Sequence, residues 1–252
     1  MDEVHASHRL FRELKQQVTH YPSGVCEVRR QIQGTSFFPG GIGLWREPVR
    51  PTLPAFPVGG VMIVGQDFDS ESGYNKSAQR GHESTVSPTW KNLLEFLEKI
   101  PICRRQCFFT NAFMGLRVQG RNTGRFPGQN DAQFVQGCRR FFLRQFELQQ
   151  PSLLISLGRY VPRFLGSLSS QLRPWEDFAG FPQFDRGRLA VRTEVQFEDV
   201  RHRCVVAALV HPSMRKSNVR HRQWDGLEGH EAEVALTRHA ATSAGLPNVG
   251  VD

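Results

Sequence analysis

Gly60-Val61-Met62-Ile63-Val64-Gly65-Gln66-Asp67, residues 60–67, sets an unbroken apolar run directly before a polar turn that carries a carboxylate. Four consecutive apolar residues without polar alternation are the pattern of a strand covered on both faces. The arrangement recurs at Cys204-Val205-Val206-Ala207-Ala208-Leu209-Val210, which runs into His211-Pro212-Ser213. Residues 107–113 (CFFTNAF) and 153–157 (LLISL) have the same character. Helical patterns separate these runs. Ser87-Pro88 is a helix start, with serine as cap and proline at the first helical position, and Trp90, Leu93, Leu94 and Leu97 follow at helical spacing until Pro101. Asn130 or Asp131 caps a helix that carries Phe134, Cys138, Phe141 and Phe142 on one face. Residues 8–19 read as an amphipathic helix. Gly158 opens a turn into a helix over 159–169, and residues 224–241 read as the closing helix. Alternating strands and helices imply an α/β fold with a four-stranded, mostly parallel sheet and helices on both faces. Residues 188–203 alternate as a pair of short strands. Residues 65–87 and 114–129 read as loops, and residues 20–59 receive no assignment.

The chain of 252 residues reads as one domain, with residues 1–59 as an N-terminal extension. Its apolar fraction is 39% and its mean hydropathy −0.41, enough for a core under a well-solvated surface. No apolar stretch approaches the ~20 residues of a membrane helix, and the first residues lack a signal-peptide segment. The expected location is therefore the cytoplasm, or the nucleus in a eukaryote, with no membrane partner. The five cysteines have no regular spacing, so they form neither a disulfide framework nor a four-thiolate metal site and are expected to be reduced thiols. His221 and His230 are nine residues apart, about 180° on a helix, which argues against a shared metal ion. No cofactor is expected.

Net charge is +8 and the pI about 9.7, as suits an anionic partner such as nucleic acid, although an ordinary basic protein has the same balance. Arg104-Arg105, Arg117, Arg121, Arg125, Arg139-Arg140 and the run over 215–222 follow the candidate strands. Ligands in open parallel sheets bind beyond the carboxyl ends of the strands. Asp67, Asn111, Gly158 and His211 all fall at or just past those ends.

Gly65-Gln66-Asp67, Thr110-Asn111, Leu157-Gly158-Arg159 and His211-Pro212-Ser213, in this order and spacing, resemble the uracil-DNA glycosylase superfamily over roughly two thirds of the chain, residues 60–224. The resemblance implies a three-layer α/β/α fold and an enzyme that flips a damaged base out of DNA and hydrolyses the bond joining it to the sugar. Flipping is needed because the target atoms are shut inside the base stack. The bond breaks through an oxocarbenium-like state, positive on the sugar and negative on the departing base. The protein would act as a monomer on single- or double-stranded DNA.

On this resemblance, Asp67 activates water and stabilises the cation, and His211 donates to the leaving base's oxygen as negative charge develops there. Gly65, Gln66, Phe68 and Asn111 would form the base site. The Asn111 amide, with a donor and an acceptor, would read a pyrimidine edge. Ser213, Met214 and Arg215 would press into the DNA, with Arg215 as first candidate to fill the vacated stack and Met214 as second. Lys216, Arg220 and Arg222 would contact phosphates. Plainer roles exist for each: Asp67 and Asn111 also suit turns at strand ends, and the cations suit a solvated basic face.

The chain departs from the family pattern after Gly-Gln-Asp, where the classical uracil enzymes have Pro-Tyr and this chain has Phe68-Asp69. That tyrosine excludes the thymine methyl group, so strict uracil selectivity does not carry over. Phe68, Tyr74 or Trp90 would stack on the base. The cysteine spacing does not match the family's iron–sulfur branches. Two other readings follow from the same residues: a non-catalytic nucleic-acid-binding protein of this fold, and a hydrolase of free nucleosides or nucleotides.

Overall fold

The four apolar runs form strands because each places residues alternately into two separate cores. In the computed structural model, which describes residues 5–47, 52–119 and 122–246, β1 is Val61–Gly65, β2 is Cys107–Asn111, β3 is Leu153–Leu157, β4 is Val191–Gln196 and β5 is Arg203–Leu209. Arg121 lies outside the described residues. Met62, Val64, Phe108, Leu154 and Val206 face one core, while Val61, Ile63, Phe109, Ile155 and Ala207 face the other. The period of two along each strand assigns neighbours to opposite faces.

The sheet has five strands, not four, in the order β2-β1-β3-β5-β4. β1, β2, β3 and β5 are parallel; β4 runs antiparallel along the edge beside β5, with Val191 opposite Ala207 and Gln196 opposite Arg203. The two short strands expected over 188–203 resolve into this single edge strand and the start of β5. A register irregularity between Arg192 and Val195, with Glu194 at φ 54°, bends β4, as bulges do at sheet edges.

Helices cover both faces. α1 (Ala6–Gln17), α4 (Ala132–Gln149) and α5 (Val161–Gly166) pack on one face through Leu10, Leu14, Phe141, Phe142 and Leu165. α3 (Pro88–Leu97) and α8 (Gly229–Ser243) pack on the other through Trp90, Phe96, Leu236 and Ala240. The capping expectations hold: Ser87 accepts from the Trp90 N–H, and Asp131 rather than Asn130 accepts from the Phe134 N–H. α5 stops well short of the expected 169, and a 3-10 segment, Ser170–Trp175, follows. α8 starts later than expected because Gln223–Trp224 and Leu227–Glu228 first pair around Asp225-Gly226, both at positive φ. Such an Asp-Gly pair favours a two-residue hairpin turn.

Residues 65–87 are not simply a loop, since they contain α2 (Glu71–Arg80). Ser70 caps its start by accepting from Gly73, and Gly81 closes it in the left-handed conformation. Only Tyr74 and Ser77 are buried, so α2 has no apolar stripe to read. Short α6 (Phe181–Arg186) and α7 (Arg215–Asn218) lie in the connections around β4 and after β5.

Within the unassigned stretch, Phe38, Gly43 and Leu44 close the outer edge of β2. Phe38 N–H donates to the Phe109 carbonyl, and Phe109 N–H donates to Gly43. Phe38 is fully buried and stacks on Phe141 at 5.6 Å. This segment is therefore part of the core. Phe38→Ala is expected to lower unfolding stability by about 3–5 kcal/mol in urea titration, as for other buried aromatic truncations. A loss below about 1 kcal/mol would mean a detachable extension.

Candidate active site

From β1 the chain passes to β2 on one side and then returns to β3 on the other, so the order reverses between β1 and β3. A crevice opens where strand order reverses. A cavity of about 380 Å³ occupies this place, and Asp67, Asn111 and His211 all line it, with Gly65, Gln66 and Phe68. The register Gly65↔Asn111 and Leu157↔Leu209 brings the strand ends level.

Asp67 is largely buried and gripped by Arg117 in a two-pronged ion pair, Nε to Oδ2 at 2.8 Å and Nη2 to Oδ1 at 2.9 Å. Arg117 also donates to the carbonyls of Gly124 and Arg125. Burial raises the Asp67 carboxyl pKa, and the Arg117 hydrogen bonds and charge oppose that rise. Asp67 does not cap the following turn. That task falls to Asp69, which accepts from the Ser70 N–H, and to Ser70 at the start of α2.

Asn111 is 2% exposed and donates through Nδ2 to the Phe38 carbonyl at 2.8 Å. Its amide crosses directly over Gly65, where a Cβ would collide with Oδ1. Gln66 faces the Gly124 carbonyl with its amide nitrogen and the Phe126 N–H with its oxygen. Together with Arg117 it pins residues 124–126 beside the cavity.

His211 follows β5 and rests on Gly158, whose φ is +84° and whose absent Cβ would lie 3.0 Å from the His211 Cβ. The Ser213 N–H donates to His211 Nδ1 at 3.3 Å, and Ser213 Oγ lies 2.8 Å from the same nitrogen. A backbone N–H can only donate, so Nδ1 accepts and the ring proton sits on Nε2. Burial lowers the imidazole pKa to about 4. At neutral pH His211 is thus an uncharged donor through Nε2.

The cations after β5 divide sharply. Arg215, the first candidate for the DNA wedge, is 8% exposed and folds back over the Phe96 ring at 4.2 Å, paired with Glu233 and in contact with His230. Arg222, expected on phosphate, is fully buried, with two 3.0 Å bonds to Asp185 and a third to the Ala208 carbonyl. Buried carboxylates claim both guanidinium groups, so neither is placed to meet a partner. Met214, the second wedge candidate, is 45% exposed, and Ser213, Lys216 and Arg220 are exposed beside it. Glu233 also accepts from the Val210 N–H at 2.6 Å and so fixes the residue before His211.

Of the three aromatic candidates, Phe68 lines the cavity, packed over Gly40 and edge-on to Tyr74 at 6.3 Å. Tyr74 donates instead to the Arg30 carbonyl, and Trp90 is fully buried between Phe37 and Phe109. Phe37 and Glu83 are among the lining residues that the sequence did not mark. Phe37 comes from the unassigned segment, where only its apolar pair with Phe38 hinted at burial. Glu83 carried no signal at all. It accepts from the Phe37 N–H at 2.7 Å and the Ser36 hydroxyl, and burial pushes its pKa up to about 7.

Lys76 and Arg80 add positive charge to the cavity lining. The five cysteines are free thiols, and among the described residues no three His, Cys, Asp or Glu side chains gather to hold a metal ion. No described helix is long and apolar enough to cross a membrane. No family model and no curated protein matches the chain.

Glu83 and His211 act oppositely on pH stability. Glu83 binds its proton more tightly when folded, so its contribution is present below the unfolded value of 4.5 and is lost as pH rises through about 7. His211 binds its proton less tightly when folded, so its contribution is present above 6.5 and is lost as pH falls toward 4. Glu83→Gln should therefore remove a downward contribution to Tm between about pH 4.5 and 7, measured by thermal unfolding. An unchanged pH slope in that variant would contradict this assignment.

Proposed function

We propose that this chain is a monofunctional DNA glycosylase that hydrolyses the bond between deoxyribose and uracil or a related deaminated base, acting as a monomer without a cofactor in the cytoplasm or nucleus. The observation that carries this reading is the presence of Asp67, Asn111 and His211 on one cavity of about 380 Å³. In addition, the helices on both sheet faces fit the three-layer α/β/α fold implied by the family resemblance. As the C1′–N bond breaks, its electron pair passes to the base and a cation forms at the sugar. A neutral His211 suits the base side, because its Nε2–H donates without first giving up a charge. Asp67 suits the sugar side. Its Arg117 partner holds the carboxylate in place and favours the charged form against the opposing effect of burial, and in that form it can orient water and face the cation. Water adds to C1′, leaving an abasic site.

Incubation with uracil-, hypoxanthine- and xanthine-containing oligonucleotides, followed by alkaline cleavage of abasic sites, tests the reaction. Base release is expected on at least one substrate. His211→Ala should slow release by about 10²–10³-fold, the usual loss for one such donor, with DNA affinity nearly unchanged. Asp67→Asn should slow it strongly too; because it also breaks a buried pair, its folding is to be checked by thermal unfolding. Asn111→Asp sets a carboxylate against the Phe38 carbonyl, so that variant changes stability as well as base choice. No strand scission at high enzyme concentration would overturn the proposal.

The Asp67–Arg117 pair favours a second reading, a nucleic-acid-binding protein without catalysis, since the arginine neutralises the carboxylate. It predicts salt-sensitive DNA binding without base release, unchanged in Asp67→Asn.

A further inference from the structure

A second cavity, of about 450 Å³, lies on the far side of His211. Gln66, Asn122, Leu157, His211 and Ser213 line both cavities, so the two adjoin. The two form one furrow along the carboxyl ends of β1, β3 and β5. Yet their chemistry differs. The first is polar, with carboxylates and amides. The second is built from Tyr160, Phe178, Phe181, Pro182 and Met214, with Asn218 and His221 at one side.

We infer that the second cavity seats one nucleobase adjacent to the reactive nucleotide on the same strand, stacked on Tyr160. This rests on the glycosylase reading for the strand's register, and it deepens that reading by assigning a flanking-base site. Tyr160 is partly exposed, whereas Phe178 and Phe181, which line the same cavity, are buried and pack edge-on to each other at 5.1 Å. The Arg159 guanidinium lies 5.6 Å from the Tyr160 ring, and Arg159 is exposed at the cavity's lining. A ring backed by a cation is a stacking platform with a phosphate contact built in. Lys216 and Arg220 are exposed on the same stretch of chain as the lining residues Asn218 and His221. An apolar peptide would find no use for these cations; a base with its phosphate uses both the ring and the charge. Met214, 45% exposed, lines the second cavity.

The test measures binding of the wild-type protein to single-stranded oligonucleotides holding 2′-fluorodeoxyuridine, whose glycosidic bond resists cleavage, with a tetrahydrofuran abasic analogue on either side. Removing the base on one side only should weaken binding about tenfold, within the range of a lost base–aromatic stack. Tyr160→Ala should bind the intact strand about as weakly and respond less than about twofold to that removal, while Tyr160→Phe behaves as wild type. As a readout that needs no variant, 2-aminopurine placed on that side should be quenched on binding. Equal indifference to both flanking bases, or the same sensitivity in Tyr160→Ala as in wild type, overturns the inference, as does absence of DNA binding. If the flanking-base effect persists but unmodified uracil is never released, the catalytic reading fails and this site stands.

Discussion

The two-pronged pair between Asp67 and Arg117 joins parts of the chain that are remote in sequence, and the cavity takes its shape from it. Asp67 hangs from the end of β1. Arg117 belongs to the two-residue pairing of Leu116–Arg117 with Val25–Cys26, so the N-terminal segment reaches the site through it. The same guanidinium holds the carbonyls of Gly124 and Arg125, which brings the connection after β2 up against the crevice. Separating a buried pair leaves an uncompensated charge and costs about 3–5 kcal/mol, enough to hold the carboxylate in place. Desolvation alone would push Asp67 toward its neutral form, and Arg117 works against that.

A second buried network does the equivalent work for the imidazole. Asp185, Arg222, Glu233 and Arg215 form a chain of opposite charges under the loop after β5. Through the Val210 N–H, Glu233 fixes the backbone that His211 leaves from, and Gly158 permits the close approach of the ring. The two candidate reacting groups are thus clamped separately, from opposite sides of the sheet's switch point. Neither can drift without disturbing charges buried in the protein. Preorganisation of this kind is what a site needs if it is to meet developing charge without reorganising.

What the sequence revealed follows from burial. β1, β2, β3 and β5 were legible because both faces are covered, which writes the strand as a continuous apolar run. β4 was blurred because it is an edge strand with a bulge and several exposed side chains. α2 was hidden because it meets the core through little more than Tyr74. Asp67, Asn111 and His211 were visible because strand ends converge by topology, whatever fills the rest of the chain. Glu83 and Phe37 were not, since each reaches the cavity from a connecting segment through contacts distant in sequence. Arg215 and Arg222 were misread for a simple reason. A cation looks the same in sequence whether it meets water or a buried carboxylate, and their partners Glu233 and Asp185 lie well away along the chain. Arg117 appeared only as one basic residue among many.

The neutral Nε2–H donor of His211, on the cavity that it shares with Asp67, is open to direct measurement. Nitrogen-15 NMR of histidine-labelled protein reads this directly, with His211 assigned through a His211→Gln variant. The ring is expected to be protonated on Nε2 alone, with no titration until about pH 4 and a shifted Nε2–H resonance when a cleavage-resistant uracil oligonucleotide binds. A ring that titrates near the ordinary 6.5, or an Nε2–H signal indifferent to the oligonucleotide at saturation, would contradict it.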